Sequence, residues 1–144
     1  MGDRYCVGFT GFDETDNAER RVWLYSHWGG SDRHGEIGRA IEAARPRWSD
    51  PTYATRIAIS NIVGDGWKAE TGFGIEAGPR CFTHVEYGAF LVNWSDKTVT
   101  EFAYDRPGED ENSLGSPTAV WSLDDFAGGA PGAGCIYPTG AGST

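Results

Sequence analysis

The chain has 144 residues, the ordinary size of one domain, and at that length folding buries roughly 68–70% of the extended surface, enough for a real core. Twelve Lys and Arg against 21 Asp and Glu leave a net charge of −9, a mean field that repels phosphate backbones and argues against general nucleic-acid binding. No run approaches the ~20 apolar residues that span a bilayer, and the start passes into a β-rich stretch without a basic and apolar leader, so a soluble, cytoplasmic chain with no membrane partner is expected.

Six Trp, six Tyr and seven Phe supply large units of apolar area, and aromatic side chains should dominate the core. Cys6, Cys81 and Cys135 form an odd set at wide spacings. Neither a disulfide framework nor a metal-binding CxxC is indicated, and three buried or inert thiols in a reducing compartment are expected.

Residues 5–12 and 21–28 are rich in Tyr, Val, Phe, Thr and Trp, separated by a polar stretch, and read as an antiparallel hairpin. In its second strand Val22, Leu24 and Ser26 share one face, and Trp23, Tyr25 and His27 share the other, because strand side chains alternate. Gly29 and Gly30 end that strand. Ser31 or Asp32 then caps a helix with Ile37, Ala40, Ile41 and Ala44 on one side, stopped by Pro46. Ser49 or Asp50 followed by Pro51 starts a second helix, whose stripe is Tyr53, Ala54, Ile57, Ala58, Ile62 and Val63, closed by Gly64 and Gly66.

Strand patterning returns at residues 72–76, then at 81–94 and 98–104 with a short turn at 95–97, which reads as a meander. Residues 105–117 combine Gly and Pro with an acidic cluster and read as an exposed loop, before a strand at 118–123 and one helical turn at 124–127. The expected organisation is a single α+β domain over residues 1–127 and a Gly/Ala-rich tail over 128–144. Its architecture is an antiparallel sheet, built from the N-terminal hairpin and the later meander, with two consecutive helices packed on one face.

The segment Ser26, His27, Trp28, Gly29, Gly30 stands where a strand hands over to a helix, and backbone N–H groups at such a turn suit anions. His27 offers a hydrogen bond, Trp28 a stacking face, and Arg33 and Arg56 charge. Glycines at a strand–helix connection are equally ordinary turn chemistry, and a strand-face Trp or His usually packs. Glu70 and Thr71, at the entrance to the next strand, are further polar candidates, and His27 with Glu70 is the best acid–base pair available. His84 and Glu86 share a strand face without a third ligand nearby, so no metal is expected. Neither a phosphate-loop lysine nor a GxGxxG is present, and no cofactor is expected.

The pattern YSHWGG at residues 25–30 with ETGFGI at 70–75 resembles a group of small uncharacterised proteins of actinobacteria and their phages, a resemblance covering roughly residues 22–104. It implies an accessory or phage-borne protein and carries no catalytic residues with it. Three functions remain open. The first is a module binding a nucleotide-like anionic small molecule, in a phage counter-defence role, through His27, Trp28, Gly29, Gly30, Arg33, Arg56, Glu70 and Thr71. The second is an acidic inhibitor that covers a basic surface of a host protein. The third is a small hydrolase built on His27 and Glu70.

Overall fold

The computed structural model describes residues 3–81, 88–102, 114 and 116–127. Strand β1 (Tyr5–Thr10) pairs antiparallel with β2 (Val22–Ser26), setting Cys6 opposite Tyr25 and Gly8 opposite Trp23. The connection is stitched by Asp16, which accepts from Thr10 Oγ1 at 2.8 Å and from Arg21 Nε at 3.0 Å. The Arg21 guanidinium, more than the Thr10 hydroxyl, holds the Asp16 carboxyl below the usual carboxylate range.

Helix α1 (Arg33–Ala43) and helix α2 (Pro51–Val63) follow where the apolar periodicity places them. Asp32 and Asp50 occupy the residue before each helix, yet neither side chain makes a capping bond. Asp32 instead accepts from Arg39 at 3.0 Å. Pro46 falls within a single 3₁₀ turn, Arg45–Arg47, that separates the helices. On α2 the buried positions are Ala54, Thr55, Ala58, Ile59 and Val63, so the buried stripe is rotated from the expected one and Tyr53 stands half exposed.

The remaining strands are β3 (Phe73–Ala77), β4 (Ala89–Asn93), β5 (Thr98–Phe102) and β6 (Pro117–Ser122), which leads into the one-turn helix α3 (Leu123–Phe126). One sheet results, in the order β3-β2-β1-β4-β5-β6. The fold is α+β, as the patterning predicts, with two corrections. The meander consists of β4, β5 and β6, while β3 leaves it to join β2 at the opposite edge. The β1–β4 pair is parallel, Val7 aligned with Phe90, so the sheet is mostly antiparallel. Of the expected strand at 81–94, Ala89–Asn93 form β4 and residues 82–87 lie outside the described residues. The expected acidic loop, apart from 114, 116 and 117, and the 128–144 tail also lie outside the described residues.

Alternation divides the sheet into two faces. Tyr5, Val7, Phe9, Leu24, Phe90, Val92, Val99 and Trp121 meet Ile37, Ile41, Ala54 and Ala58 of the helices in the main core. Trp94 Nε1, fully buried at the end of β4, donates to Thr55 Oγ1 of α2 at 2.9 Å and satisfies both polar atoms inside it. The second face carries Cys6, Trp23 and Leu91, with Tyr25, Ala89 and Phe102 against them. Gly8 permits this packing, since a Cβ there would stand 2.6 Å from the Trp23 ring.

The chain leaving β3 is laid on the second face. Trp23 Nε1 donates to Gly78 O at 2.9 Å, Arg21 Nη1 donates to Pro79 O at 2.7 Å, and Cys81 is joined to Cys6 by a disulfide with Cα atoms 6.7 Å apart. This corrects the expectation of buried or inert thiols for Cys6 and Cys81, partners 75 residues apart in sequence that meet because the chain leaving β3 is laid over β1 as far as Cys81; Cys135 lies outside the described residues. No helix among the described residues is long and apolar enough to cross a membrane.

Candidate functional site

Strand directions bring chemistry to one end of the sheet. Ser26 pairs with both Tyr5 and Phe73, Cys6 with Ala89, and Ala89 with Phe102, so the end of β2 adjoins the starts of β1, β3 and β4 and the end of β5. The segment 26–30 emerges there. Ser26 is buried on the core face and its hydroxyl donates to Trp28 O at 2.6 Å, folding the backbone over. His27 N donates to Gly72 O at 2.8 Å and Gly30 N to Asp3 O at 2.7 Å. The turn is thus held from both flanking strands, and Gly29 bridges it at φ 88°, in the left-handed region that favours glycine.

Trp28 is 59% exposed although its main chain is fixed on both sides. Its ring meets the His27 ring edge to face, centroids 4.4 Å apart, and His27 Nδ1 lies 2.8 Å from the Tyr25 hydroxyl. The Trp28 indole nitrogen would be 3.8 Å from a Cβ on Gly72, so the missing side chain leaves the flank of the ring clear. The result is an aromatic platform braced from Tyr25 through His27.

Beneath the turn the chemistry is acidic. A Cβ on Gly29 would stand 2.5 Å from Glu36 Oε2, and Tyr5 OH donates to Glu36 Oε1 at 2.7 Å. Burial raises the Tyr5 phenol above its ordinary range, and the Glu36 bond adds to that because the phenol is the donor. Burial also raises the Glu36 carboxyl, outweighing the lowering effect of the Tyr5 bond. Asp3 accepts from Ser31 Oγ at 3.2 Å nearby. The N–H groups of Gly30 and Asp32 are taken by Asp3 O and Gly29 O.

A second polar cluster lies where α1 begins over β5. Arg33 Nη1 donates to Gly30 O at 2.8 Å, its Nη2 lies 3.8 Å from Glu101 Oε2, and His34 Nε2 lies 3.6 Å from Glu101 Oε1. Phe90, Trp121 and Phe126 surround the His34 ring at centroid distances of 5.2, 5.9 and 5.9 Å. These groups join α1 to β4, β5, β6 and α3.

Comparison with protein-family models, curated proteins and solved structures finds no match to the chain. The site therefore rests on its own geometry.

Of the residues expected at the site, His27, Trp28, Gly29 and Gly30 form the platform and turn, and Glu70 and Thr71 are exposed on the approach to Gly72 beside them. Arg33 is turned inward toward Gly30 and Glu101. Arg56 is exposed on α2 and makes no ion pair with a described residue. No hydrogen bond joins His27 to Glu70 among the described residues, and the imidazole is engaged by Tyr25 instead. Among the described residues no group of three His, Cys, Asp or Glu could hold a metal ion, and His84 and Glu86 lie outside them.

Asp3, Tyr5, Glu36, His34 and Glu101 were not expected here. Part of that signal was readable: Asp32 and Glu36 are one helical turn apart, so a turn at Gly29 and Gly30 places both carboxylates near it. Glu101 and Tyr5 arrive through strand pairing, which side-chain periodicity does not encode.

Proposed function

We propose that this protein is a small-molecule binding module that stacks the flat ring of a nucleotide-like ligand on Trp28, with the ligand's anionic group directed into solvent. The observation that supports it is Trp28 itself. An indole at 59% exposure, held by main-chain bonds on both flanks and braced by His27, is preorganised, so little freedom is lost when a ring stacks on it. The outward orientation of the charge follows from electrostatics. Glu36 fills the space under Gly29, Asp3 is adjacent, and the N–H groups of Gly30 and Asp32 are already bonded, so an anion is repelled from the turn. His27, Glu70 and Thr71 offer polar contacts at the ring edge, while Arg33 and Arg56 are secondary.

The resemblance to proteins of actinobacteria and their phages extends the proposal to sequestration of a signalling nucleotide in a host cytoplasm.

Isothermal titration with a matched base, nucleoside and nucleotide tests the reading. The expected result is binding of all three with affinities within roughly tenfold, lost on Trp28→Ala and little changed on Arg56→Ala. Absence of binding by the unsubstituted chain, or binding that survives Trp28→Ala, overturns it.

A further inference from the structure

The free edge of β3 is unlike the other edge of the sheet. Strand β6 opens with Pro117, and its pairing with β5 is irregular between Glu101 and Phe102, two features that blunt an edge against further pairing. Strand β3, Phe-Gly-Ile-Glu-Ala, has neither, and its central residue Ile75 is 55% exposed.

Register identifies which backbone groups that edge presents. His27 N donates to Gly72 O and Gly78 N donates to Arg21 O, so residues 72 and 78 bond inward to β2. With a period of two, Gly74 and Glu76 do the same, and the N–H and C=O groups of Phe73, Ile75 and Ala77 point away from the sheet. No strand among the described residues pairs with them.

We propose that β3 is an acceptor strand for an extended peptide whose residues alternate between apolar and basic, a surface separate from the Trp28 platform. On the helix-side face an added strand runs beside Phe73, Ile75 and Ala77, which reward apolar side chains. On the other face it runs beside Gly74 and Glu76. Residues 64–81 hold Asp65, Glu70 and Glu76 against Lys68 and Arg80, and Glu76 Oε2 also lies 3.2 Å from Cys81 Sγ; with a chain net charge of −9 the local balance stays acidic, so basic side chains are the complement. The same charge disfavours a second copy as occupant, since two acidic chains repel.

The test uses the full chain with two fluorescently labelled, end-blocked hexapeptides, one alternating Val and Arg and the other alternating Val and Glu. Anisotropy should show saturable binding of the first and at least roughly tenfold weaker binding of the second. Ile75→Pro removes one outward N–H without touching a bond to β2 and should abolish binding, whereas Glu76→Lys should reverse the preference between the peptides. Backbone amide shifts on titration should cluster in residues 73–77. Circular dichroism of each variant confirms that folding is retained, and Trp28→Ala should leave peptide binding intact. The proposal is overturned if neither peptide binds, if Ile75→Pro binds equally well, if Trp28→Ala abolishes binding, or if sedimentation shows copies of the chain pairing through this edge.

Discussion

Glu36 shows how one residue sets the character of the turn. Its carboxyl is raised by burial, so the folded state binds a proton at this position more tightly than the unfolded chain does. The stabilising contribution is therefore fully present below the ordinary carboxylate value and is lost as pH rises through the raised one. Asp16 has the opposite sign: its Arg21 partner lowers it, so its contribution is present above the ordinary value and lost as pH falls. Glu36→Gln keeps an acceptor for the Tyr5 hydroxyl and removes the charge. The variant should be more stable than the parent at pH 7, with the difference shrinking toward pH 4, measured by urea unfolding across that range. A difference that grows on acidification would mean that Glu36 is stabilised as the carboxylate. Gly29 is part of the same arrangement, because its φ of 88° and the nearby Glu36 oxygens both exclude a side chain.

At the level of elements, helix α2 is seated partly through one internal bond, from Trp94 Nε1 to Thr55 Oγ1. Thr55→Val keeps the shape and leaves a fully buried indole N–H without its acceptor, which should cost about 1–3 kcal/mol. Thr55→Ser should recover most of that, and chemical unfolding of the two variants side by side checks it. A neutral Thr55→Val would show that α2 docks by apolar contact alone. Thr55 itself was not legible in the apolar stripe of α2, since periodicity ranks positions by hydrophobicity and passes over a hydroxyl with a buried partner. The elements that were legible are those specified by local pattern: the hairpin, both helices, and the face assignment of Leu24 against Trp23. Pairing partners were not. The stretch 72–76 reads as a strand, but nothing within it states that its neighbour is β2 rather than β4, and Val7 alternates identically whether Phe90 runs parallel or antiparallel to it. The candidate site divides in the same way. His27 and Trp28 come from one local segment, whereas Tyr5, Glu36 and Glu101 reach it by folding.

At the scale of the molecule, the decisive long-range link is between Cys6 and Cys81, a pairing that an odd cysteine count and a separation of 75 residues conceal. It closes a loop containing β2, both long helices and β3, and in the chain-entropy account a loop of that length restricts the unfolded ensemble by about 4 kcal/mol. The bond also pins the start of the crossover onto the second face, where Gly78 and Pro79 accept from Trp23 and Arg21. Reduction should therefore have a global and a local consequence. Global stability should fall by about 2–5 kcal/mol in denaturant titrations with and without a phosphine reductant. Locally, the Trp23 indole N–H should exchange with deuterium faster than the Trp94 indole N–H, because its acceptor belongs to the released segment while Thr55 remains in the core. Cys81→Ala should reproduce both effects and make the chain insensitive to reductant. Equal stability and equal indole exchange with and without reductant would mean that packing of Trp23 and Leu91, rather than the covalent link, holds the crossover in place.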